Sequence, residues 1–210
     1  MLKRILMGFA LLFLISCPSW AGIITVNSES ALVGSLQSGY LFENFNSYSY
    51  GSFIGYTLAI NQNGYLATLS AANMLYSGNG NMSTNDSRDA LVINFSNNVT
   101  AVGGYFWPTD LKGLNLIGNM TVRLSDGSLY TYNITAADSN TFRGFISDGA
   151  SIQQIQIIAD TGQAVNDSEW PTVDNLYAGT ASVPEPALPL LLGIGIGAVS
   201  LANWLHRKKR

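Results

Sequence analysis

Met120-Thr121-Val122-Arg123-Leu124-Ser125-Asp126-Gly127-Ser128-Leu129-Tyr130-Thr131-Tyr132-Asn133-Ile134 is the stretch that decides the fold. Met120, Val122 and Leu124 alternate with Thr121 and Arg123, and after the polar break Tyr130, Tyr132 and Ile134 alternate with Thr131 and Asn133. Alternation with period two is the signature of a half-buried strand. A two-residue Asp126-Gly127 turn would pair Val122 with Thr131 and set the two apolar rows on opposite faces. A three-residue loop, 125–127, pairs Val122 with Tyr130 and Met120 with Tyr132 instead. Slipping a strand by one residue flips all its side chains, so the apolar pattern selects the three-residue loop. Gly127 then takes the left-handed position of a bulged turn, where glycine carries no Cβ penalty.

The same texture extends outward. Gly, Asn, Ser, Thr and Tyr are plentiful between residues 22 and 182, whereas the helix formers Glu and Lys are sparse. Short apolar or alternating runs predict strands near 23–27, 40–46, 53–60, 64–70, 90–95, 99–107, 116–124, 128–134, 142–146, 152–158 and 173–178. Many short strands joined by Gly/Asn/Asp turns point to an all-β, antiparallel two-sheet sandwich with jelly-roll topology. Residues 77–89 are polar and glycine-rich, and are expected to form an exposed loop.

The ends of the chain differ from this middle. Lys3 and Arg4 precede an apolar stretch from Ile5 to Ile15, and Ser19-Trp20-Ala21 places small residues at −3 and −1 of a cut between Ala21 and Gly22. This is the pattern of a secretory signal peptide over 1–21, handled by the Sec machinery and signal peptidase. Leu14-Ile15-Ser16-Cys17 offers a rival, a lipobox whose acylated cysteine would begin the mature chain. Cys17 is the single cysteine, so cleavage after Ala21 leaves a mature protein without disulfides. At the other end, Ala187 to Leu205 is 19 residues without a charge. As a helix it would reach ~28 Å, close to the hydrocarbon thickness of a bilayer. Arg207, Lys208, Lys209 and Arg210 follow as a basic stop that stays on the cytoplasmic side. The central domain is therefore expected outside the cytoplasm.

Val183-Pro184-Glu185-Pro186, one Gly/Leu-rich transmembrane segment at 187–205 and a terminal Arg/Lys cluster resemble the PEP-CTERM sorting signal of Gram-negative bacteria. The resemblance covers 183–210. It implies an exosortase-type membrane transpeptidase as partner, with Pro184, Glu185 and Pro186 as recognition residues. It also implies an envelope or extracellular-matrix destination. His206 stands where Arg is more usual in that family. A second, looser resemblance runs from Phe95-Ser96-Asn97-Asn98-Val99 through Phe142-Arg143-Gly144-Phe145 to Val173-Asp174-Asn175-Leu176-Tyr177. These segments are similar to the lectin-like and carbohydrate-binding sandwiches that precede such tails.

Charge and chemistry narrow the function. Residues 22–182 carry four Lys/Arg against twelve Asp/Glu, a net of −8, while the whole chain carries −3. An acidic domain repels polyanions, so nucleic acid is not an expected partner. The only histidine is His206, so the domain has no Ser-His-Asp or Cys-His site and no histidine ligand for zinc. A carboxylate-dependent glycoside hydrolase needs two acids at a set separation. Isolated acids beside Asn, Ser and Gly read more simply as solvated turns, so the domain is expected to be non-enzymatic. The alternative to a purely architectural envelope protein is a carbohydrate-binding module for extracellular polysaccharide. Aromatic faces stack on pyranose rings, and Tyr48, Tyr50, Tyr56, Tyr105, Trp107 and Trp170 are available. Trp107-Pro108 and Trp170-Pro171 end their runs at loops, which makes these two tryptophans the first candidates for exposure. Glu43 and Asp174, on the first and last strong strands, are the candidate ligands of a structural calcium; no other cofactor is expected.

Overall fold

The structure is a computed structural model, and it describes residues 22–96, 98–135, 142–148, 150–160 and 168–182. The expected signal peptide over 1–21, including Cys17, and the expected sorting segment over 183–210 lie outside the described residues.

The described chain is antiparallel β throughout, with one short helix. The strands are β1 (Ile23–Val26), β2 (Leu41–Glu43), β3 (Ser52–Gln62), β4 (Tyr65–Ser77), β5 (Met82–Thr84) and β6 (Leu91–Phe95). They continue with β7 (Ala101–Thr109), β8 (Gly118–Leu124), β9 (Leu129–Ile134), β10 (Phe142–Ser147), β11 (Gln154–Asp160) and β12 (Trp170–Gly179). Helix α1 is Glu29–Ser35. Each of the eleven expected strands has a counterpart; β5 and α1 were not legible in the sequence.

The β8–β9 hairpin has the expected register, with Met120 opposite Tyr132 and Val122 opposite Tyr130. The loop closes through Gly127 N donating to Leu124 O at 2.9 Å, and Gly127 sits at φ +88°. A Cβ there would meet nothing within 4 Å, so the cost of a side chain is backbone strain alone. Gly127→Val should cost roughly 1–2 kcal/mol, read as a lower urea midpoint at unchanged slope. An unchanged midpoint would refute the left-handed assignment.

Hydrogen-bonded neighbours follow the order β1-β10-β7-β12-β5-β4-β6-β11-β8-β9, with β2 also on β12 and β3 also on β4. The sheet is therefore one continuous curled surface rather than two separate sheets. Strand β5 makes the join, pairing Ser83 with Thr172 of β12 and with Tyr76 of β4. Strand β4 changes partners at an irregularity. Thr57 faces Ser70 but Gly55 faces Leu75, and Met74 between them has φ 76°. Before the irregularity β4 pairs with β6; after it, with β5.

The two halves of the curl enclose a shared core. Phe106, Phe145 and Val173 from one half pack in the same cluster as Leu69, Ile93, Met120, Val122, Ile155 and Ile157 from the other. The Tyr130 and Phe145 rings bridge the halves with centroids 5.1 Å apart, and Tyr132 OH donates to Phe106 O at 3.1 Å. The Arg143 guanidinium lies 4.2 Å above the Tyr132 ring.

The stretch 77–89, expected as an exposed loop, is corrected: Ser77, Met82, Ser83 and Thr84 are buried. Their hydroxyls find acceptors inside the fold, Ser83 Oγ on Pro171 O at 3.1 Å and Thr84 Oγ1 on Asp86 O at 2.9 Å. Satisfied hydroxyls remove the desolvation penalty that a polar run otherwise carries into a core.

Helix α1 covers the outer face of β7 and β10. Ser28 caps it, its Oγ accepting from Ala31 N at 3.3 Å. Leu32 is fully buried against Ala101, Phe142 and Tyr177. Glu29, in the first turn, accepts from Tyr105 OH at 2.7 Å and from Tyr177 OH. The hydrogen bond to Glu29, aided by burial, pushes the Tyr105 phenol up to about 12. Burial, then the same carboxylate, raises Tyr177; burial alone raises Tyr132, against the opposing Arg143 charge. The folded chain thus keeps phenol protons that the unfolded chain releases near pH 10. The native state binds more protons there, so stability must fall as pH rises. Melting temperature should decline progressively above about pH 10. A melt unchanged to pH ~11.5 would contradict these contacts.

Candidate functional site

At one end of the curl the strands leave a cleft of about 690 Å³, inside the range of roughly 300–1,000 Å³ usual for ligand pockets. Its floor follows from strand register. Phe53 faces Tyr76, Tyr76 faces Ser83, Ser83 faces Thr172 and Thr172 faces Trp107. Directly opposed residues of antiparallel strands share a face. This row therefore starts in two aromatics and passes into buried hydroxyls. Phe53 is 63% exposed, and its ring meets Tyr76 edge-on at 5.8 Å. On the cleft lining Thr109 Oγ1 lies 3.1 Å from Thr172 Oγ1, which donates to Ser83 Oγ at 3.1 Å. The next register pair, Trp170 opposite Thr109, adds the indole to the lining.

Two loops form the rims. On one side Asp110 organises the β7–β8 loop. Its Oδ1 accepts from Lys112 N and from Leu114 N, both at 2.8 Å. Gly113, at φ +76°, closes the turn by donating to Asp110 O at 2.9 Å. The loop presents Leu111 at 82% exposure beside Lys112. On the other side Gly78 N donates to Asn81 O at 2.9 Å, and Ser77 Oγ donates to Ser49 O. Gly80 sits at φ +73°, where a Cβ would come within 2.5 Å of Asn46 Oδ1. That rim offers the amides of Asn79, Asn81 and Asn85, with the Tyr50 ring 71% exposed above them. Hydrogen bonds within each rim fix the rim loops, which lowers the ordering cost of binding.

Of the aromatics expected to bind sugar, Tyr50 and Trp170 line the cleft. Tyr48 packs on the main core and Tyr105 on the helix cluster. Tyr56 is exposed but does not line the cleft. The exposure expected of Trp107 is corrected, since it is 3% exposed within the core. Phe53, Tyr76 and the three asparagines belong to the lining and were not expected there. Asn79, Asn81 and Asn85 fall in the 77–89 stretch expected only as an exposed loop.

Glu43 and Asp174 lie on adjacent strands, with Glu43 opposite Leu176 and Asp174 opposite Tyr105. Each carboxylate caps a backbone amide: Glu43 Oε1 accepts from Phe45 N at 2.7 Å and Asp174 Oδ1 from Asn175 N at 2.6 Å. Burial raises the Asp174 carboxyl above its usual range; the Asn175 amide opposes this and the Glu29 charge adds to it. Among the described residues no three Asp, Glu, His or Cys side chains gather to hold a metal ion. Among the described residues, Asp110 is the one carboxylate on the cleft lining.

No family model matches the sequence, and no curated protein matches it. Solved structures similar to this chain include a Podospora anserina GH26-CBM35 β-(1,4)-mannanase, 16% identical with a TM-score of 0.32. That alignment covers 72% of this chain but only 29% of the mannanase, so this chain spans less than a third of that protein. A CBM35 from Cellvibrio japonicus Abf62 is 14% identical with a TM-score of 0.30, covering 77% of this chain and 97% of that one. Likeness at this level says nothing of ligand or activity.

Proposed function

We propose that residues 22–182 form a non-catalytic, jelly-roll-type saccharide-binding domain of an exported envelope protein, and that the cleft takes a neutral extracellular polysaccharide. The observation that carries this is the lining itself. Exposed Tyr50 and Phe53 with Tyr76 and Trp170 offer ring faces, and Asn79, Asn81 and Asn85 offer amides able both to donate and to accept. Aromatic faces for the apolar side of a sugar ring and amides for its hydroxyls are the complementary chemistry. A carboxylate-dependent hydrolase needs a second acid beside Asp110.

The direction of β12 supports the anchored part of the proposal. The strand starts at Trp170 in the cleft and ends at Gly179, ~30 Å away for ten extended residues. Past it, Ser182 N donates to Ser35 O at 2.8 Å at the far pole. A membrane helix over 187–205, stopped by Arg207, Lys208, Lys209 and Arg210, would hold the domain by that pole and leave the cleft facing outward. Pro184, Glu185 and Pro186 follow Ser182 in the sequence, and on this proposal they are what an exosortase-type transpeptidase recognises.

Immobilised neutral polysaccharides probed with the parent, Tyr50→Ala and Phe53→Ala test the binding. The parent should bind, and each variant should lose about tenfold or more in affinity, ~1.4 kcal/mol. Retention by both variants, or no binding by the parent, would refute the proposal.

A further inference from the structure

Strand β1 is the outermost strand of its half, and among the described strands it is hydrogen-bonded only to β10. Its ladder begins with Ile23 opposite Ser147. One step further, Gly22 N donates to Asp148 Oδ1 at 2.5 Å and Asp148 N donates to Gly22 O at 3.2 Å. A Cβ on Gly22 would lie 3.7 Å from Asp148 Oδ2, so the whole carboxylate lies against this residue. Gly22 is also the residue that follows the Ser19-Trp20-Ala21 cleavage pattern. The proposed mature chain thus begins at a nitrogen that a carboxylate faces.

We infer that Asp148 is the seat of the amino terminus created by cleavage after Ala21, pairing with the α-ammonium of Gly22 so that maturation completes the attachment of β1. The chemistry is hydrolysis of one amide. Water's oxygen adds to the Ala21 carbonyl carbon, the C–N bond breaks, and the departing Gly22 nitrogen gains protons to become –NH₃⁺. An amide with one proton becomes a cation with three, facing a fixed anion, which strengthens the hydrogen bond. Cleavage before an acylated Cys17 would leave Cys17 to Ala21 ahead of Gly22, whose nitrogen would remain a neutral amide. Both groups are solvent-accessible, so the pair is a modest one.

The inference rests on the export reading, and the test separates the two. The full gene is expressed in a bacterial host, and the exported chain is isolated from the envelope in detergent. Its terminal residue is read by mass spectrometry, and its amines are acetylated with limiting acetic anhydride at pH 7. An ammonium held by Asp148 yields its proton less readily. The Gly22 amine, normalised to Lys112 in the same molecule, should react roughly 1.5- to 5-fold more slowly in the parent than in Asp148→Asn, the equivalent of an exposed ion pair. Asp148→Ala should match Asp148→Asn, with circular dichroism confirming that both are folded. A Gly22 terminus with equal reactivity in all three proteins overturns the inference. An exported chain beginning elsewhere, such as at an acylated Cys17, overturns it while leaving export intact. An uncut cytoplasmic chain overturns both.

Discussion

Phe106→Ala should lower unfolding stability by about 3–5 kcal/mol, the cost of removing a large fully buried ring from a core that cannot close behind it. Phe106 is 0% exposed and sits in the central cluster opposite Val173. Its carbonyl accepts Tyr132 OH at 3.1 Å, so the same residue also ties β9 to β7 across the fold. Gly104 beside it leaves only enough room for the ring, since a Cβ there would lie 3.2 Å from Phe106 Cε1. For a domain of this size the loss corresponds to a drop of ~10 °C or more in melting temperature. Urea titration of parent and variant measures it directly. A loss below ~1 kcal/mol would mean that the two halves of the curl do not share the core described.

Gly103→Ala should be strongly destabilising. The added Cβ would lie 2.6 Å from Leu32 Cδ2, 2.9 Å from Arg143 O and 3.0 Å from Gly144 Cα. Leu32 can rotate away; the other two atoms are β10 backbone and cannot. Overpacking of this kind costs about 1–3 kcal/mol and shifts backbone. Adding Leu32→Ala should relieve only the first of the three contacts, so the double variant should remain less stable than Leu32→Ala alone. Equal stability of those two proteins would show that β7 and β10 are not packed this closely.

The hairpin from Met120 to Ile134 was readable because two independent constraints met: the alternation fixed the faces and the glycine fixed the loop. The strands around it were readable for the first reason alone. Helix α1 was not, because seven residues containing Gly34 and Val33 carry little intrinsic helicity. It exists because Gly103 and Gly144 admit Leu32 and because Tyr105 and Tyr177 hold Glu29. Strand β5 was hidden for the opposite reason. Its Ser83 and Thr84 look like loop residues until their buried acceptors are known.

The cleft was half legible. Trp107 and Trp170 both precede proline, and Pro108 and Pro171 are themselves register partners. The local cue was thus the same for both tryptophans. Register separates them: Trp107 faces Thr172 within the sheet, while Trp170 faces Thr109 where β12 begins. Phe53 and Tyr76 come together only through the irregular β3–β4 pairing, which no single strand's pattern reveals.

The most direct test of the saccharide cleft is tryptophan fluorescence during titration with the polysaccharide that the parent retains. Trp170 lines the cleft and Trp107 lies in the core. The parent and Trp107→Phe should both show a saturable change in emission, and Trp170→Phe should lose it. A saturable change that survives Trp170→Phe, or that disappears in Trp107→Phe while Trp170 remains, would contradict this placement of the site.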